Sequence, residues 1–230
     1  MKIIWLGHSG FRIETGDTVM LIDPWLTGNP MFPEDRRAEA IAGVTHILVS
    51  HGHGDHAGEA PAIARETGAT ILGIFDLMTH WEATEGVKVL GFNKGGTVSA
   101  GDARVTMVAA THSSALSGPS GPVYAGAEAG FMIAAEGHVI YFSGDTDVMA
   151  DMDVFAQLHE PDIGILCAGG HFTMDMERAA WAARTYFDFD LVIPCHYKTF
   201  PLLAQSAEAM IAALPEVRVV EPEVLAPIEV

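Results

Sequence analysis

Four histidines and an aspartate are crowded into one short stretch of the chain, HILVSHGHGDHAG, which begins with an apolar run. Within it, His51, His53, Asp55 and His56 follow the pattern H-x-H-x-D-H. Imidazole nitrogens and carboxylate oxygens together are ligands suited to Zn²⁺, Fe or Mn²⁺. Alternate residues of an extended turn point the same way. We therefore expect His51 and His53 to share one ion, while Asp55 and His56 turn toward a second.

Other apolar runs of the chain also end in a metal-capable side chain. His8 follows KIIWL, His112 follows VTMVAA, Asp145 follows VIYFSG, and His196 follows LVIPC. In α/β proteins, sites form beyond the carboxyl ends of the strands and draw residues from distant parts of the chain. Two metal ions ~3.5–4 Å apart need a bridging anion, and the lone carboxylate of Asp145 suits that position. The sequence therefore predicts a site with two metal ions.

The composition restricts the partners and the class of protein. The formal net charge is −18, with 12 basic against 30 acidic residues and no basic run, so nucleic acid is disfavoured as a partner. No run approaches the ~20 apolar residues needed to cross a bilayer, and the N-terminal stretch lacks the features of a signal peptide. Two cysteines in 230 residues do not make a disulfide framework. We expect a cytoplasmic protein with a small-molecule substrate and no membrane partner, and a homo-oligomer stays open.

Short apolar runs alternate with Gly, Pro and Asp turns and with a few helical stretches, which is typical of an α/β domain. No repeat or linker divides the chain, so a single domain is expected over residues 1–230. Strands are predicted ahead of the candidate ligands. Helices are predicted over residues 59–66, 76–85, 175–187 and 206–214. The Gly-, Ser- and Pro-rich segment 113–126 is expected to be a long loop, which in a compact domain is usually functional or mobile.

In their order, these motifs resemble the metallo-β-lactamase superfamily of binuclear metallohydrolases. HGHGDH comes first, then the single His112, then Asp145 in GDT, and last His196 in CHY, so the resemblance covers nearly the whole chain. The pieces LGHSGF, IDPWLTGNP, GFMI, HFTMD and HYKTFP are similar to the small metal-dependent hydrolase branch of that superfamily, the UPF0173 type, which is related to the ascorbate-phosphate lactonase group.

The resemblance implies how the ligands are shared and how the chain folds. It implies a four-layer αβ/βα sandwich with the site at one edge, between two β-sheets. It also implies that Asp145 bridges two ions whose remaining ligands form two sets, His51, His53 and His112 for one and Asp55, His56 and His196 for the other.

The same resemblance implies a binuclear metal-dependent hydrolase. A bridging water, its pKa lowered toward ~7 by the ions, is expected to attack an ester, lactone or phosphoester substrate. Zn²⁺ is the first candidate for both ions, with Mn²⁺ or Fe as alternatives. Asp55 is predicted to guide the proton, and His8 is predicted to donate a hydrogen bond to the oxyanion or the leaving group.

Four further residues in or near the motifs are candidates for a role in the site. His8 either contacts the substrate or orients a ligand, or it is a hydrogen-bonded structural residue. The branch often has an acidic or amide residue at the position of His171 and an asparagine at the position of Lys198. Both are candidates for substrate binding, with helix capping or packing as the alternative for His171 and solvation as the alternative for Lys198. Asp23, in IDPW, is interpreted as a carboxylate that braces a ligand histidine.

Three other functions are known alternatives to hydrolysis on the same scaffold. A non-catalytic metal-binding protein is expected to have lost ligands, whereas every ligand is present here. A di-iron redox protein usually carries a flavin-binding partner domain, for which 230 residues leave no room. A nuclease conflicts with the net charge of −18.

Overall fold

The protein is described by a computed structural model that covers residues 1–230. Its strands are β1 (Lys2–Trp5), β2 (Phe11–Thr15), β3 (Thr18–Ile22), β4 (His46–Val49), β5 (Thr70–Ile74), β6 (Val89–Phe92), β7 (Thr97–Ala100), β8 (Ala103–Ala109), β9 (Ala115–Gly118), β10 (Gly121–Tyr124), β11 (Ala129–Ala135), β12 (His138–Phe142), β13 (Ile163–Cys167), β14 (Leu191–Cys195), β15 (Arg218–Val219) and β16 (Pro227–Glu229). Its α-helices are α1 (Arg37–Ala40), α2 (Gly54–Ala57), α3 (Ala60–Thr67), α4 (Phe75–Glu85), α5 (Asp151–His159), α6 (Met176–Tyr186) and α7 (Glu208–Ala213), and a 3₁₀ turn at Glu34–Arg36 precedes α1.

Two seven-stranded sheets pack face to face. The first has the order β16-β1-β2-β3-β4-β5-β6, and the second has the order β15-β14-β13-β12-β11-β8-β7. The rings of Phe11 and Phe142, one from each sheet, lie 6.3 Å apart in the core between them. Helices α3 and α4 pack on β4, β5 and β6, and α6 packs on β13. The α/β class and the four-layer αβ/βα sandwich predicted from the sequence are therefore confirmed. None of the seven helices has the length and apolarity that crossing a bilayer requires.

The strands follow from the hydrophobic pattern of the sequence. In β2 the apolar residues alternate with polar ones, so Phe11 and Ile13 are buried while Arg12 and Glu14 are half-buried. Strands β13 and β14 are continuous apolar runs, IGILC and LVIPC, and every residue of both is buried. Parallel strands covered on both faces have this composition, because neither face meets water.

The strands that precede the candidate ligands run in the same direction within each sheet. Strand β1 pairs antiparallel with β2 and β2 with β3, so β1 runs parallel to β3, which is parallel to β4. In the second sheet, β8 and β12 are both antiparallel to β11, and β12, β13 and β14 are parallel. The carboxyl ends of these strands therefore meet at a common edge of each sheet, as expected for a site in an α/β protein.

Three elements differ from the sequence predictions. Segment 113–126, expected to be a loop, contains the hairpin β9–β10, whose Gly and Pro residues hide the alternation of a strand pair. Helix α5 was not predicted, because its apolar residues do not form one buried face: Met152 is buried, whereas Val154 and Leu158 are exposed. Strand β16 begins with a proline, which weakens the strand pattern but is tolerated at the edge of a sheet.

The carboxylate of Glu59 holds the loop that follows β3 against the start of α3. It accepts hydrogen bonds from the backbone N–H of Leu26 at 2.7 Å and of Thr27 at 2.9 Å, and from the Thr27 hydroxyl at 2.8 Å. The Arg37 guanidinium donates to it at 2.7 Å. Burial alone would raise the pKa of Glu59, but Arg37 and these donors lower the pKa below its ordinary value of 4.5. This loop carries Asp23 and therefore positions part of the site.

Replacing Glu59 by Gln is expected to lower the free energy of unfolding by about 1–3 kcal/mol at neutral pH, because charged hydrogen bonds are lost. The folded-state pKa of Glu59 is depressed, so its contribution is fully present above the unfolded pKa and is lost as pH falls through the folded pKa. Urea denaturation of both proteins at pH 7 and below pH 4 measures this difference, which should narrow in acid. The matched control is Glu66→Gln, since Glu66 also pairs with Arg37 but is half-exposed. An equal loss in both variants would contradict the assignment.

Candidate metal centre

The H-x-H-x-D-H segment changes its backbone conformation halfway along. Ser50 and His51 directly follow β4, and His53 is still extended, with φ −66° and ψ 149°. Asp55 and His56 then lie on the one-turn helix α2. The change of conformation separates the motif into two pairs, as expected from the sequence. Gly52 is required between the first two histidines, because a Cβ there would lie 2.5 Å from the Cβ of Ala125.

His51, His53 and His112 form the first group of candidate ligands. Their facing nitrogen atoms all lie within 4.8 Å of one another. Nε2 of His51 and Nδ1 of His53 are 3.0 Å apart. The ring of His112 has its centroid 5.2 Å from each of the other two. These are the three residues that the resemblance assigns to one ion.

Asp55, His56 and His196 form a second group, and His8 joins it. The ligand atoms of these four residues also lie within 4.8 Å of one another. The rings of His56 and His196 are stacked with centroids 5.5 Å apart, and the ring of His8 is 4.0 Å from that of His196. The structure thus brings together the second predicted set of ligands and places the predicted catalytic His8 beside them.

Asp145 lies between the two groups. Gly144 lies between β12 and Asp145. Its φ is +60°, and the Ala129 carbonyl lies so close that no space is left for a side chain at this position. Oδ2 of Asp145 is within ion-pairing distance of four histidines that belong to both groups: His196 at 3.1 Å, His56 at 3.3 Å, His112 at 3.6 Å and His51 at 3.9 Å. A carboxylate in this position supports the bridging role expected from the sequence.

Asp23 braces histidines of both groups from behind. Its Oδ2 is 2.8 Å from Nδ1 of His56 and 2.5 Å from the Ser50 hydroxyl. The Ser50 hydroxyl donates to Asp23, so it accepts from Nδ1 of His51 at 2.9 Å. Both Nδ1 atoms therefore carry a hydrogen, and Nε2 is the ring nitrogen of His51 and of His56 that faces the cluster. Orientation of metal-binding histidines by a carboxylate in this way is typical of metal sites.

The cluster has the chemistry that a metal ion requires. Nε2 of His56, Oδ1 of Asp145 and Nδ1 of His196 are buried and have no hydrogen-bond partner. Asp23, Asp55 and Asp145 form no ion pair with lysine or arginine, and all their charged partners are histidines. Buried carboxylates without a cationic partner are strongly disfavoured. The residues present therefore fit divalent cations.

The pKa values of the histidines show how the cluster would receive such ions. Burial lowers the pKa of His51 well below its ordinary value, and burial also lowers the pKa of His53 and His112, so these rings stay neutral and keep a lone pair. Burial opposes the charged form of His56 too, but the carboxylates of Asp145 and Asp55 raise its pKa well above the ordinary value. A cation that binds at His56 must displace a proton, so metal affinity is expected to rise with pH.

His8 is held between Asp55 and Thr199. Its Nε2 is 2.9 Å from Oδ2 of Asp55, and its Nδ1 is 2.8 Å from the Thr199 hydroxyl. Burial lowers the pKa of His8 to about 4, although the hydrogen bond that His8 donates to Asp55 raises it in part. The ring is therefore neutral at pH 7. Since the Asp55 carboxylate only accepts, Nε2 carries the hydrogen and the Thr199 hydroxyl donates to Nδ1. The Asp55 pKa is lowered, because the charge on His56 and the donor His8 outweigh burial.

Backbone strain is concentrated at this site. His8, Asp23, His196 and Lys198 have φ values of 53°, 44°, 57° and 66°, in the left-handed region that non-glycine residues rarely adopt. The backbone N–H of His196 also donates to the carbonyl of His8 at 3.0 Å. Such strain persists only where surrounding contacts compensate for it, and it is characteristic of functional sites.

The two candidate substrate residues make no hydrogen bond or ion pair with the cluster. The Lys198 ammonium is paired with the Glu221 carboxylate and lies 5.4 Å from the centre of the Tyr197 ring. His171 is exposed and packs edge-on against Phe172, with ring centroids 4.6 Å apart. Cys167 and Cys195 are buried free thiols, and burial raises the pKa of Cys167 to about 12, so this thiol stays protonated at neutral pH.

A cavity beside His53 provides access to the first group of ligands. Its volume is about 300 Å³, and the hairpin β9–β10 forms the wall opposite His53 and Gly54. A second cavity of about 470 Å³ shares Gly54, Leu116 and Ser117 with the first. Volumes of this size suit a small molecule. Segment 113–126 thus borders the site, which agrees with the functional role expected for this segment.

Comparisons with known proteins agree with this geometry. Residues 2–196 match the family model described as the beta-lactamase superfamily domain. The chain is 68% identical over 228 residues to a protein of Paracoccus denitrificans named UPF0173 metal-dependent hydrolase, with 99% of each chain covered. It is 66% identical to a protein with the same family name from Cereibacter sphaeroides, with 100% of each covered. Among solved structures, Igni18, a metallo hydrolase of Ignicoccus hospitalis, is 31% identical with a TM-score of 0.83, and 100% of this chain and 98% of that one are covered.

Replacing Asp145 by Ala is expected to abolish binding of two metal ions, because the carboxylate that lies between the groups is lost. Metal content per chain after reconstitution and dialysis, determined by elemental analysis, measures the effect. Asp147→Ala is the matched control, since Asp147 lies two residues away, is half-exposed and pairs with Arg178. Undiminished metal content in Asp145→Ala would rule out its assignment as a ligand.

Replacing Asp23 by Asn is expected to weaken Zn²⁺ binding by about 10- to 100-fold, because the orientation of both His51 and His56 depends on this carboxylate. Ser50→Ala should have a smaller effect, since it removes only the connection to His51. Competition with a chelator of known affinity measures both constants. If Asp23→Asn binds Zn²⁺ as tightly as the unaltered protein, the bracing role is wrong.

Proposed function

This chain belongs to the beta-lactamase superfamily, and we propose that it is a metal-dependent hydrolase that uses two divalent metal ions against an ester, lactone or phosphoester substrate. The observation that carries the proposal is the set of three carboxylates whose charged partners are all histidines. Zn²⁺ is the first candidate for both ions, with Mn²⁺ or Fe as alternatives, because imidazole and carboxylate ligands suit all three.

The ligands divide between the ions as the two groups suggest. His51, His53 and His112 would hold one ion, and Asp55, His56 and His196 the other, with Asp145 shared between them. When bound, the ions supply a Lewis acid for the substrate's carbonyl or phosphoryl oxygen and lower the pKa of a water toward ~7.

Asp55 and His8 are proposed to handle the proton during hydrolysis. The carboxylate of Asp55 is partly exposed, with 31% of its side chain accessible, so it can accept a proton from a water that attacks the substrate. His8 holds Asp55 in place through its Nε2–H and is itself held by the Thr199 hydroxyl. The same Nε2–H would stabilise an oxyanion or a leaving oxygen by exchanging Asp55 for the substrate as its acceptor.

Lys198 and His171 have contacts elsewhere. The ammonium of Lys198 has a partner in Glu221, so the energy of an ion pair with a substrate would be offset by the loss of this one. The small-molecule substrate that we propose is supported by the cavities beside His53, and the net charge of −18 disfavours nucleic acid.

A hydrolysis panel of lactones, carboxylic esters, thioesters, phosphodiesters and β-lactams tests the proposal. Metal-reconstituted protein is expected to hydrolyse at least one class, and both a chelator and Asp145→Ala should reduce the rate to background. A flat response across all classes would favour a non-catalytic metal-binding protein. Elemental analysis with an absorption spectrum separates the remaining alternative, because colourless Zn²⁺ or Mn²⁺ agrees with hydrolysis whereas iron charge-transfer bands would indicate a di-iron redox protein.

A further inference from the structure

Three aromatic side chains from separate loops surround the His8 and His196 side of the metal centre. Trp25 comes from the loop after β3, Phe172 from the loop after β13, and Phe200 from the loop after β14. They belong to IDPW, HFTMD and HYKTFP, and the metal site itself leaves these three aromatic side chains without a role.

The three rings pack edge-on against the histidines. The ring of Trp25 is 5.5 Å from that of His8 at an angle of 89°, and the ring of Phe200 is 5.8 Å from it at 71°. The ring of Phe172 is 6.4 Å from that of His196 at 74°. Trp25 and Phe200 also contact each other, with centroids 6.0 Å apart. The three aromatic residues thus form a rim on this half of the site, with Trp25 and Phe200 in contact and Phe172 beside His196.

This rim is open to solvent. Phe172 is 52% exposed, and Trp25 and Phe200 are half-buried. The side chain of Asp55, which these loops surround, is also partly exposed. Exposed aromatic faces grouped around a polar centre are characteristic of binding sites, because they lose unfavourable contact with water when a ligand covers them.

No lysine or arginine without an acidic partner lies in the rim, and its remaining basic residue is the imidazole of His171 beside Phe172. Of the basic residues in the loops that form it, Lys198 is paired with Glu221. Arg178, on the helix that follows Phe172, is paired with Asp147. An anionic substituent on a substrate is usually recognised by arginine or lysine through charge-assisted hydrogen bonds. The rim instead matches an uncharged, apolar group.

We propose that Trp25, Phe172 and Phe200 form an apolar subsite for the uncharged aryl or alkyl arm of a carboxylic ester or lactone. This inference rests on the proposed hydrolase function and narrows its substrate class. In the reaction, water adds to the carbonyl carbon, the C–O bond to the leaving oxygen breaks, and the leaving oxygen takes up a proton. An ester gives a carboxylic acid and an alcohol or phenol, and a lactone opens to a single hydroxy acid.

A matched pair of substrates tests the charge preference. Phenyl acetate and 4-acetoxybenzoate contain the same scissile bond, but the second carries a carboxylate on the arm. After correction for their rates with hydroxide alone, the metal-loaded protein is expected to favour phenyl acetate by about 10-fold or more in kcat/KM. Equal or better use of 4-acetoxybenzoate would overturn the proposal while leaving the hydrolase function intact.

Variants of Phe172 test the residue assignment. Phe172→Ala is expected to lower kcat/KM for phenyl acetate by about 3- to 10-fold, chiefly through KM, because an aromatic contact is lost. Methyl acetate, which has no extended arm, should be unaffected, and Phe172→Leu should retain most of the activity. Phe75→Ala is the matched control, since Phe75 is 53% exposed and its ring does not pack against the histidines of the site. Equal effects of Phe172→Ala and Phe75→Ala would overturn the proposal.

A binding measurement separates failure of the subsite from failure of the hydrolase function. With metal-free protein, the ¹⁹F NMR signal of 4-fluoroacetophenone should broaden, and that of 4-fluorobenzoate should not. Phe172→Ala should remove the broadening, and Phe75→Ala should retain it. Absence of broadening overturns the subsite whatever the activity, whereas broadening in a protein that hydrolyses nothing overturns the hydrolase and leaves an aromatic binding site.

Discussion

Burial of negative charge without a lysine or arginine partner is the constraint on which the site depends. Asp23 and Asp145 are almost completely buried, and their charged partners are imidazoles. Divalent cations at the centre of the cluster would balance this charge without a protonated imidazole or carboxylate. Asp23 is hydrogen-bonded directly to His56 and is connected to His51 through the Ser50 hydroxyl. These hydrogen bonds place a hydrogen on Nδ1 of each imidazole and leave Nε2 to face the metal position. The chemistry of the site thus begins with a residue that is not itself a candidate ligand.

The architecture provides the convergence that this constraint demands. Parallel strand directions within each sheet bring the ends of β1, β3, β4, β8, β12 and β14 to a common edge. A hydrogen bond from the Ala129 N–H to the Ser50 carbonyl connects the two sheets beside the site at 3.0 Å. The left-handed backbone at His8, Asp23 and His196 directs these side chains inward. The strain is compensated by the rigid sheets behind it, and four of the seven non-glycine residues with left-handed backbone lie in these loops.

The sequence predicted the parts of the structure whose signals are local. The H-x-H-x-D-H motif and the strand before each later ligand are read from neighbouring residues, so the α/β class, the two pairs within the motif and the brace at Asp23 could be anticipated. The four-layer topology and the places of His112 and His196 in the two groups were implied only by the family resemblance. Ser50 and Thr199 were missed, because their hydroxyls gain a role only from Asp23 and His8, 27 and 191 positions away. The hairpin and α5 were missed because their stability comes from tertiary position rather than from an alternating or helical pattern.

The hydrogen bond between His196 and His8 joins residues that are separated by almost the whole chain, and β16 pairs with β1 in the same way. During synthesis on the ribosome, the H-x-H-x-D-H segment therefore emerges long before His196, and it cannot form the complete centre alone. Contacts between such distant residues also slow folding. A metal ion that requires ligands from both ends of the chain can accordingly bind the complete site only after β14, which precedes His196, has taken its place in the second sheet.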